Sequence, residues 1–161
     1  MATPQFILDL RERIGHDPLW LPGVTAVVID ESRRILLVRR ADNGRWTLVT
    51  GCLDPGEQPA AGAVREVFEE TAVEVRAERI LRVESLPPSV YPNGDRAQFL
   101  DIALLCRPIT TEARVNDDES VEVGWFALDR LPGLTARETS CIEAAVDGTA
   151  AWFDDRAPAC P

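Results

Sequence analysis

Runs of apolar residues bounded by polar turns in the first third of the chain predict three β-strands. The first covers Gly23 to Asp30, which is rich in β-branched residues, and the second covers Arg34 to Arg40. A third is predicted from Trp46 to Val49, after a turn formed by Ala41-Asp42-Asn43-Gly44. These strands all precede the longest helical pattern in the chain.

Three more strands are predicted after that helix. Val73 to Ser85 alternates well enough for a long strand, and Ala97 to Cys106 reads as its antiparallel partner. Between them, the turn Tyr91 to Asp95 contains Asn-Gly, a pair that favours positive φ and therefore a hairpin. A last strand, Val121 to Leu128, follows the acidic loop Asn116 to Ser120.

Helical spacing of apolar residues predicts three helices. The first begins with an N-cap at Thr3 and ends at Gly15. The second begins at Pro59, a residue tolerated in the first turn of a helix. The third begins with capping-box spacing over Thr135 to Glu138, and the tail from Asp154 is expected to be loosely held.

Length and composition suit one domain over residues 1–161, with residues 1–22 as an N-terminal helical extension. The net charge of −10 argues against bulk electrostatic binding to nucleic acid polymers or anionic membranes. The four cysteines are scattered and His16 is the single histidine, so a Cys/His zinc site is not expected. Without a signal-peptide pattern or a long apolar run, the chain is expected to be cytoplasmic and not to engage membranes.

The second predicted helix brings three carboxylates together. Glu66, Glu69 and Glu70 fall within an arc of about 100° on one face. Crowded carboxylates repel one another, and their hard oxygens suit Mg²⁺ or Mn²⁺. The opposite face is expected to pack against the core, through a stripe made of Ala60, Ala63, Val64, Val67, Phe68 and Thr71.

The loop before this helix adds further candidate ligands, namely the Gly51 carbonyl and the carboxylate of Glu57. Together, Gly51, Glu57, Arg65-Glu66, Glu69-Glu70 and Val73 have the residue types and spacing of the Nudix box, so residues 51–73 resemble that family. Two positions depart from the common pattern, since the family usually has Gly where this chain has Ala72, and many members have Gly at Thr50. Ala is penalised in a left-handed conformation by its Cβ atom.

The resemblance implies an α/β fold, the Nudix α/β/α sandwich with a mixed β-sheet. It also implies a Mg²⁺- or Mn²⁺-dependent hydrolase that cleaves the pyrophosphate bond of a nucleoside diphosphate linked to another moiety. The implied metal ligands are Gly51, Glu57, Glu66, Glu69 and Glu70. Arg65 is expected to orient Glu57 or Glu69 by a salt bridge, and either Glu69 or Glu119 could serve as general base.

Substrate contacts are harder to predict, and each candidate has a plain structural alternative. Arg39 or Arg45 could reach a phosphate or be a surface charge, and Tyr91 and Asp95 could lie beside the substrate, at a dimer contact, or at a hairpin tip. A homodimer could form through the N-terminal apolar segment and the hairpin. Two other functions stay open: a non-catalytic nucleotide-binding regulatory module on the same scaffold, and an acidic protein that only buffers metal.

Overall fold

A computed structural model of the chain describes residues 3–153 and 155, and within them three α-helices and nine strands alternate. The first helix precedes four strands, the second separates these from four more, and the third precedes a final short strand. The elements are α1 Gln5–Ile14, β1 Leu19–Val28, β2 Arg34–Arg40, β3 Trp46–Thr47, β4 Val49–Cys52, α2 Pro59–Thr71, β5 Val75–Ser85, β6 Ser89–Val90, β7 Arg96–Pro108, β8 Ser120–Ala127, α3 Ala136–Asp147 and β9 Trp152–Phe153.

The strands form two sheets. The main sheet has the order β4-β1-β7-β5-β9, with β6 paired to one end of β7. It is mixed, because β1 runs parallel to β7 and β9 parallel to β5, whereas β4 and β5 are antiparallel to their neighbours β1 and β7. The smaller sheet is antiparallel, with the order β3-β2-β8.

Helices cover both faces of the main sheet. Alternate residues of β1 face opposite sides and therefore pack against different helices. Val24, Ala26 and Val28 join the apolar cluster that contains Ala63 and Val67 of α2. On the other face, Val27 and Ile29 join the cluster that contains Cys141, Ile142 and Ala145 of α3, and Leu21 packs with Ile7 of α1. The predicted α/β/α sandwich with a mixed sheet is therefore confirmed.

Several boundaries differ from the predictions. β1 begins at Leu19, so residues 19–22 are a strand paired with β7 and not part of the predicted helical extension. The N-cap of α1 is Pro4, with no side-chain cap, instead of Thr3. The predicted strand Trp46 to Val49 is divided at Leu48, where the chain passes from the smaller sheet to the main one.

Some helix ends follow the expected cap chemistry, and the end of α2 departs from it. The Thr135 capping box is present in α3, and Gly15 follows α1 with φ of 58°. Ala72, which ends α2, has φ of 57° despite its Cβ atom. The predicted loose tail from Asp154 falls on residues 154 and 156–161, which lie outside the described residues. No helix in the described part of the chain is long and apolar enough to span a membrane.

Candidate active site

A cleft of about 510 Å³ opens where the two sheets meet the C-terminal end of α2. Its walls come from the end of β2, from β3 and β4, and from the start of β8, so residues far apart in sequence converge on it. Its lining residues are Arg40, Ala41, Asp42, Thr47, Thr50, Glu70, Asp118, Glu119 and Ser120.

Two of the three predicted carboxylates of α2 are buried. Glu66 and Glu70 are 1% and 6% exposed, while Glu69 points toward solvent with its side chain 48% exposed. The predicted division of the helix into a carboxylate face and a packing face is therefore wrong in part. Phe68, assigned to the packing face, is 45% exposed. The reason is that Glu66 and Glu70 lie on the same side of the helix as Ala63 and Val67, which face the sheet.

Gly51 makes room for Glu66. It lies in β4, an edge strand of the main sheet, directly against the Glu66 side chain. A Cβ atom at position 51 would lie 2.0 Å from Glu66 Cδ, a distance that no packed side chain allows. The glycine at this position of the box is thus required by the close approach of the carboxylate, without any need for positive φ.

Arg65 links the carboxylates of the box. Its Nε and Nη2 donate to the two oxygens of Glu57, each over 2.8 Å. Its Nη1 donates to Glu66 Oε1 over 2.8 Å and to Glu69 Oε2 over 3.1 Å, and its Nη2 also donates to the Cys52 carbonyl over 3.1 Å. The planar guanidinium can serve this many acceptors at once, which an ammonium group cannot. Arg65 thus forms salt bridges with both Glu57 and Glu69, which were predicted as alternative partners.

Burial makes the two inner carboxylates easy to protonate. Burial raises the pKa of Glu66 to about 7, although Arg65 opposes this shift. Burial, with the charges of Asp117 and Glu66 nearby, raises the pKa of Glu70 to about 8. Glu57 differs, since the hydrogen bonds from Arg65 lower its pKa. A cation placed among Glu66 and Glu70 would favour their ionised forms.

The carboxylate oxygens of Glu66 and Glu70 suit a hard divalent cation. Among the described residues, no hydrogen-bond donor serves Glu66 Oε2, although this oxygen is buried. Glu70, one turn further on, accepts a long hydrogen bond of 3.5 Å from Ser120 Oγ. A buried, partnerless carboxylate oxygen is costly unless a cation compensates it. Within residues 3–153 and 155, however, no three acidic, histidine or cysteine side chains already converge as a metal cluster.

The loop before β8 is fastened to the C-terminal end of α2. Backbone N–H groups of Arg114 and Asn116 donate to the carbonyls of Thr71 and Glu70 over 3.0 and 3.3 Å. Further along, the Glu119 carbonyl accepts a 2.7 Å hydrogen bond from Ala41 N. These contacts place Glu119 in the wall of the cleft that Glu70 also lines.

The four predicted substrate residues do not line the cleft. Arg39 donates to the Gly44 carbonyl and pairs with Glu122 over 3.3 Å, and Arg45 is exposed. Asp95 accepts a 2.7 Å hydrogen bond from His16 and pairs with Arg11, so it ties the hairpin to the end of α1. Tyr91 is 44% exposed.

Arg40 lines the cleft, although it is not among the predicted substrate residues. Its guanidinium holds Asp42 over 2.6 and 2.8 Å, and it interacts electrostatically with Glu70 and Tyr91. Its neighbour Arg39 points away because successive side chains of a strand alternate in direction. A strand assignment alone shows that the two arginines face opposite sides, but which of them faces the cleft depends on how β2 pairs with β8.

Comparisons with known proteins identify the family. A family profile for the NUDIX domain matches residues 19–144. A MutT-like protein of Streptomyces ambofaciens is 35% identical over 114 residues, which span 71% of this chain and 68% of the relative. A putative 8-oxo-dGTP diphosphatase of Bacillus subtilis is 45% identical over 116 residues, which span 71% of each chain.

Solved structures share the same architecture. An ADP-ribose pyrophosphatase of Streptococcus suis superposes with a TM-score of 0.61 and 28% identity, over 83% of this chain and 96% of that one. A UDP-X diphosphatase superposes with a TM-score of 0.66 over 91% of this chain and 72% of that one; at 20% identity, this likeness concerns the fold alone. With the profile match, the box residues and the sandwich in agreement, the chain belongs to the Nudix family of hydrolases.

Proposed function

We propose that this protein is a divalent-metal-dependent hydrolase that cleaves the pyrophosphate bond of a nucleoside diphosphate linked to another moiety. The observation that carries the proposal is the buried oxygen Glu66 Oε2, which has no donor among the described residues. The carboxylate that carries this oxygen is held close to Gly51. Such an oxygen calls for a cation, and Glu70, one turn further along α2, lines a cleft that offers a place for a phosphate chain.

Glu66 and Glu70 are the principal metal ligands in this proposal, and Mg²⁺ or Mn²⁺ is the ion. Glu69 and the Gly51 carbonyl complete the protein ligands, while Glu57 is held by Arg65 through both of its oxygens. The bound ion would neutralise phosphate charge and lower the pKa of a water molecule. Arg65 keeps Glu57, Glu66 and Glu69 from repelling one another and fixes the orientation of Glu66.

Of the two candidate general bases, we favour Glu119. Glu119 lines the cleft together with Glu70. Glu69 does not line it, and its carboxylate forms an ion pair with Arg65. A general base must lie within reach of the water that it deprotonates. Glu119 could meet that requirement from the wall of the cleft.

Arg40 is the cation that we assign to the substrate phosphates, in place of Arg39 and Arg45. Arg40 lines the cleft and interacts electrostatically with Glu70 and Tyr91. Arginine forks match phosphate oxygens well. Because the Bacillus subtilis relative is named a putative 8-oxo-dGTP diphosphatase, 8-oxo-dGTP is the first substrate to test, followed by ADP-ribose.

The test is product release from a nucleotide panel with Mg²⁺, Mn²⁺ or EDTA, for the unchanged protein and for Glu70→Gln. We expect metal-dependent turnover that EDTA abolishes and that Glu70→Gln lowers by at least about 100-fold, because even groups that only orient metal ligands are worth about 10- to 100-fold. Glu74→Gln is the matched control, since this exposed residue lies beyond the end of α2 and outside the cleft. Nucleotide binding without turnover would instead support a regulatory module.

A further inference from the structure

Thr47, at the end of β3, borders the cleft and has its hydroxyl group turned toward protein acceptors. Thr47 Oγ1 lies 2.6 Å from Glu138 Oε1 of α3 and 3.1 Å from the Leu48 carbonyl. Both neighbouring atoms can only accept hydrogen bonds when Glu138 is ionised. The single hydroxyl proton of Thr47 is therefore directed into the protein whichever of the two receives it.

Glu138 is buried, 8% exposed, and it is held as a carboxylate by the capping box of α3. Its other oxygen, Oε2, accepts from the Thr135 backbone N–H over 2.7 Å and from the Thr135 hydroxyl over 2.6 Å. Burial alone would raise the pKa of Glu138, but the hydrogen bonds from Thr135 and Thr47 outweigh it and lower the pKa. Glu138 is thus ionised at neutral pH and acts purely as an acceptor.

The direction of this proton determines which hydrogen bonds the Thr47 hydroxyl can offer to a ligand in the cleft. A hydroxyl oxygen whose proton is already committed offers only its lone pairs to a ligand. A ligand group beside Thr47 therefore forms a hydrogen bond if it carries an N–H or O–H, and is left facing an unmatched acceptor if it presents a lone pair.

We propose that Thr47 is a specificity-determining residue that selects substrates with a hydrogen-bond donor at this point, and that Glu138 is the positioning residue that sets the polarity of its hydroxyl. This inference rests on the proposed function, because it concerns the substrate of the same cleft. One hydrogen bond of this kind corresponds to about a 3- to 10-fold preference in kcat/KM.

The experiment compares kcat/KM within substrate pairs that differ by one donor. GTP carries an amino group that ITP lacks, 8-oxo-dGTP carries N7–H where dGTP has an acceptor, and GTP carries a 2′-hydroxyl that dGTP lacks. Each pair is measured with the unchanged protein, Thr47→Val, Thr47→Ser and Glu138→Gln. Thr135→Ala is the matched control, because it weakens the cap of α3 without removing the Thr47 hydroxyl or the Glu138 carboxylate.

We expect the unchanged protein to prefer the donor-bearing member of at least one pair, Thr47→Val to lose that preference, and Thr47→Ser to retain it. Glu138→Gln should weaken it, because Thr135 holds the amide oxygen and leaves the amide N–H to occupy a lone pair of Thr47. Preferences that are unchanged in Thr47→Val for every pair, or that Thr135→Ala alters equally, would overturn the inference while leaving the hydrolase intact. Absence of turnover by the unchanged protein would overturn the proposed function, and this inference with it.

Discussion

At the scale of single residues, the site depends on one missing side chain and one arginine. Gly51 has no Cβ atom and so lets Glu66 lie directly against strand β4. Arg65 then satisfies Glu66 Oε1 and leaves Oε2 available, so that one oxygen orients the carboxylate and the other can bind a cation. Neither residue needs to contact substrate to be essential.

The Gly51→Ala variant tests the close approach. Its methyl group would overlap the Glu66 side chain at 2.0 Å, so the carboxylate or the strand must shift. We expect the free energy of unfolding to fall by about 1–3 kcal/mol, as for other overpacked sites, and the Mg²⁺ concentration for half-maximal turnover to rise. Chemical denaturation and metal titration of turnover measure the two effects.

Gly133→Ala is the control for this variant, because a Cβ atom there would meet nothing within 4 Å. It should leave stability and metal requirement near those of the unchanged protein. If Gly51→Ala behaved like Gly133→Ala in both measurements, the account of the Gly51 and Glu66 contact would be wrong.

The residues of the box could be recognised as a candidate site from the sequence, but the burial of their side chains could not be predicted. The spacing of Gly51, Arg65 and Glu66 is local and fixed by one loop and one helix. The burial of Glu66 depends instead on where β4 lies, and the choice between Arg39 and Arg40 depends on how β2 pairs with β8. Those pairings join distant parts of the chain, which a local pattern does not specify.

At the scale of elements, helix α3 does more than cover the sheet. Its first turn carries the capping box, and the same Glu138 carboxylate holds Thr47 across the boundary between the two sheets. The capping box was predictable from Thr135 and Glu138 alone, since it is a local pattern. The contact to Thr47 was not, because it joins residues 91 positions apart.

The stability of this arrangement should depend on pH. The pKa of Glu138 is lowered in the folded protein from the ordinary value of 4.5, so its stabilising effect is fully present above pH 4.5 and is lost as pH falls through the lowered pKa. At neutral pH, Glu138→Gln should therefore unfold more easily by about 0.5–2 kcal/mol, the usual worth of a helix cap.

Urea unfolding of both proteins at neutral pH and below pH 4.5 provides the measurement, with Glu143→Gln, an exposed position of α3, as control. The difference between Glu138→Gln and the unchanged protein should shrink in acid. A difference that stays constant across this range would mean that the charge of Glu138 contributes nothing.

Strand limits show the same division between local and distant information. The limits of β2, Arg34–Arg40, are those predicted from the sequence. In β1, however, Leu19 to Pro22 extend the strand because they pair with Ala97 to Leu100 of β7. The strand continues through Pro22 without a break. Parallel pairing between distant segments therefore extends the strand beyond the start that the local pattern predicts.

At the scale of the whole molecule, the two sheets and α2 bring the box beside a cleft whose walls come from four separate segments. The protein carries a net charge of −10, and its proposed substrates are anions as well. Long-range attraction therefore cannot supply binding, and local cations must do so. The proposed local cations are Arg40 and a metal ion bound by Glu66 and Glu70.

Direct measurement of Mn²⁺ binding tests that central claim. Free Mn²⁺ can be followed by electron paramagnetic resonance during titration of the unchanged protein, Glu66→Gln and the control Glu74→Gln. We predict that Glu66→Gln binds the ion at least about tenfold more weakly, whereas Glu74→Gln binds as the unchanged protein does. Equal affinity in Glu66→Gln and the unchanged protein would contradict the assignment of the buried Glu66 carboxylate as the metal ligand.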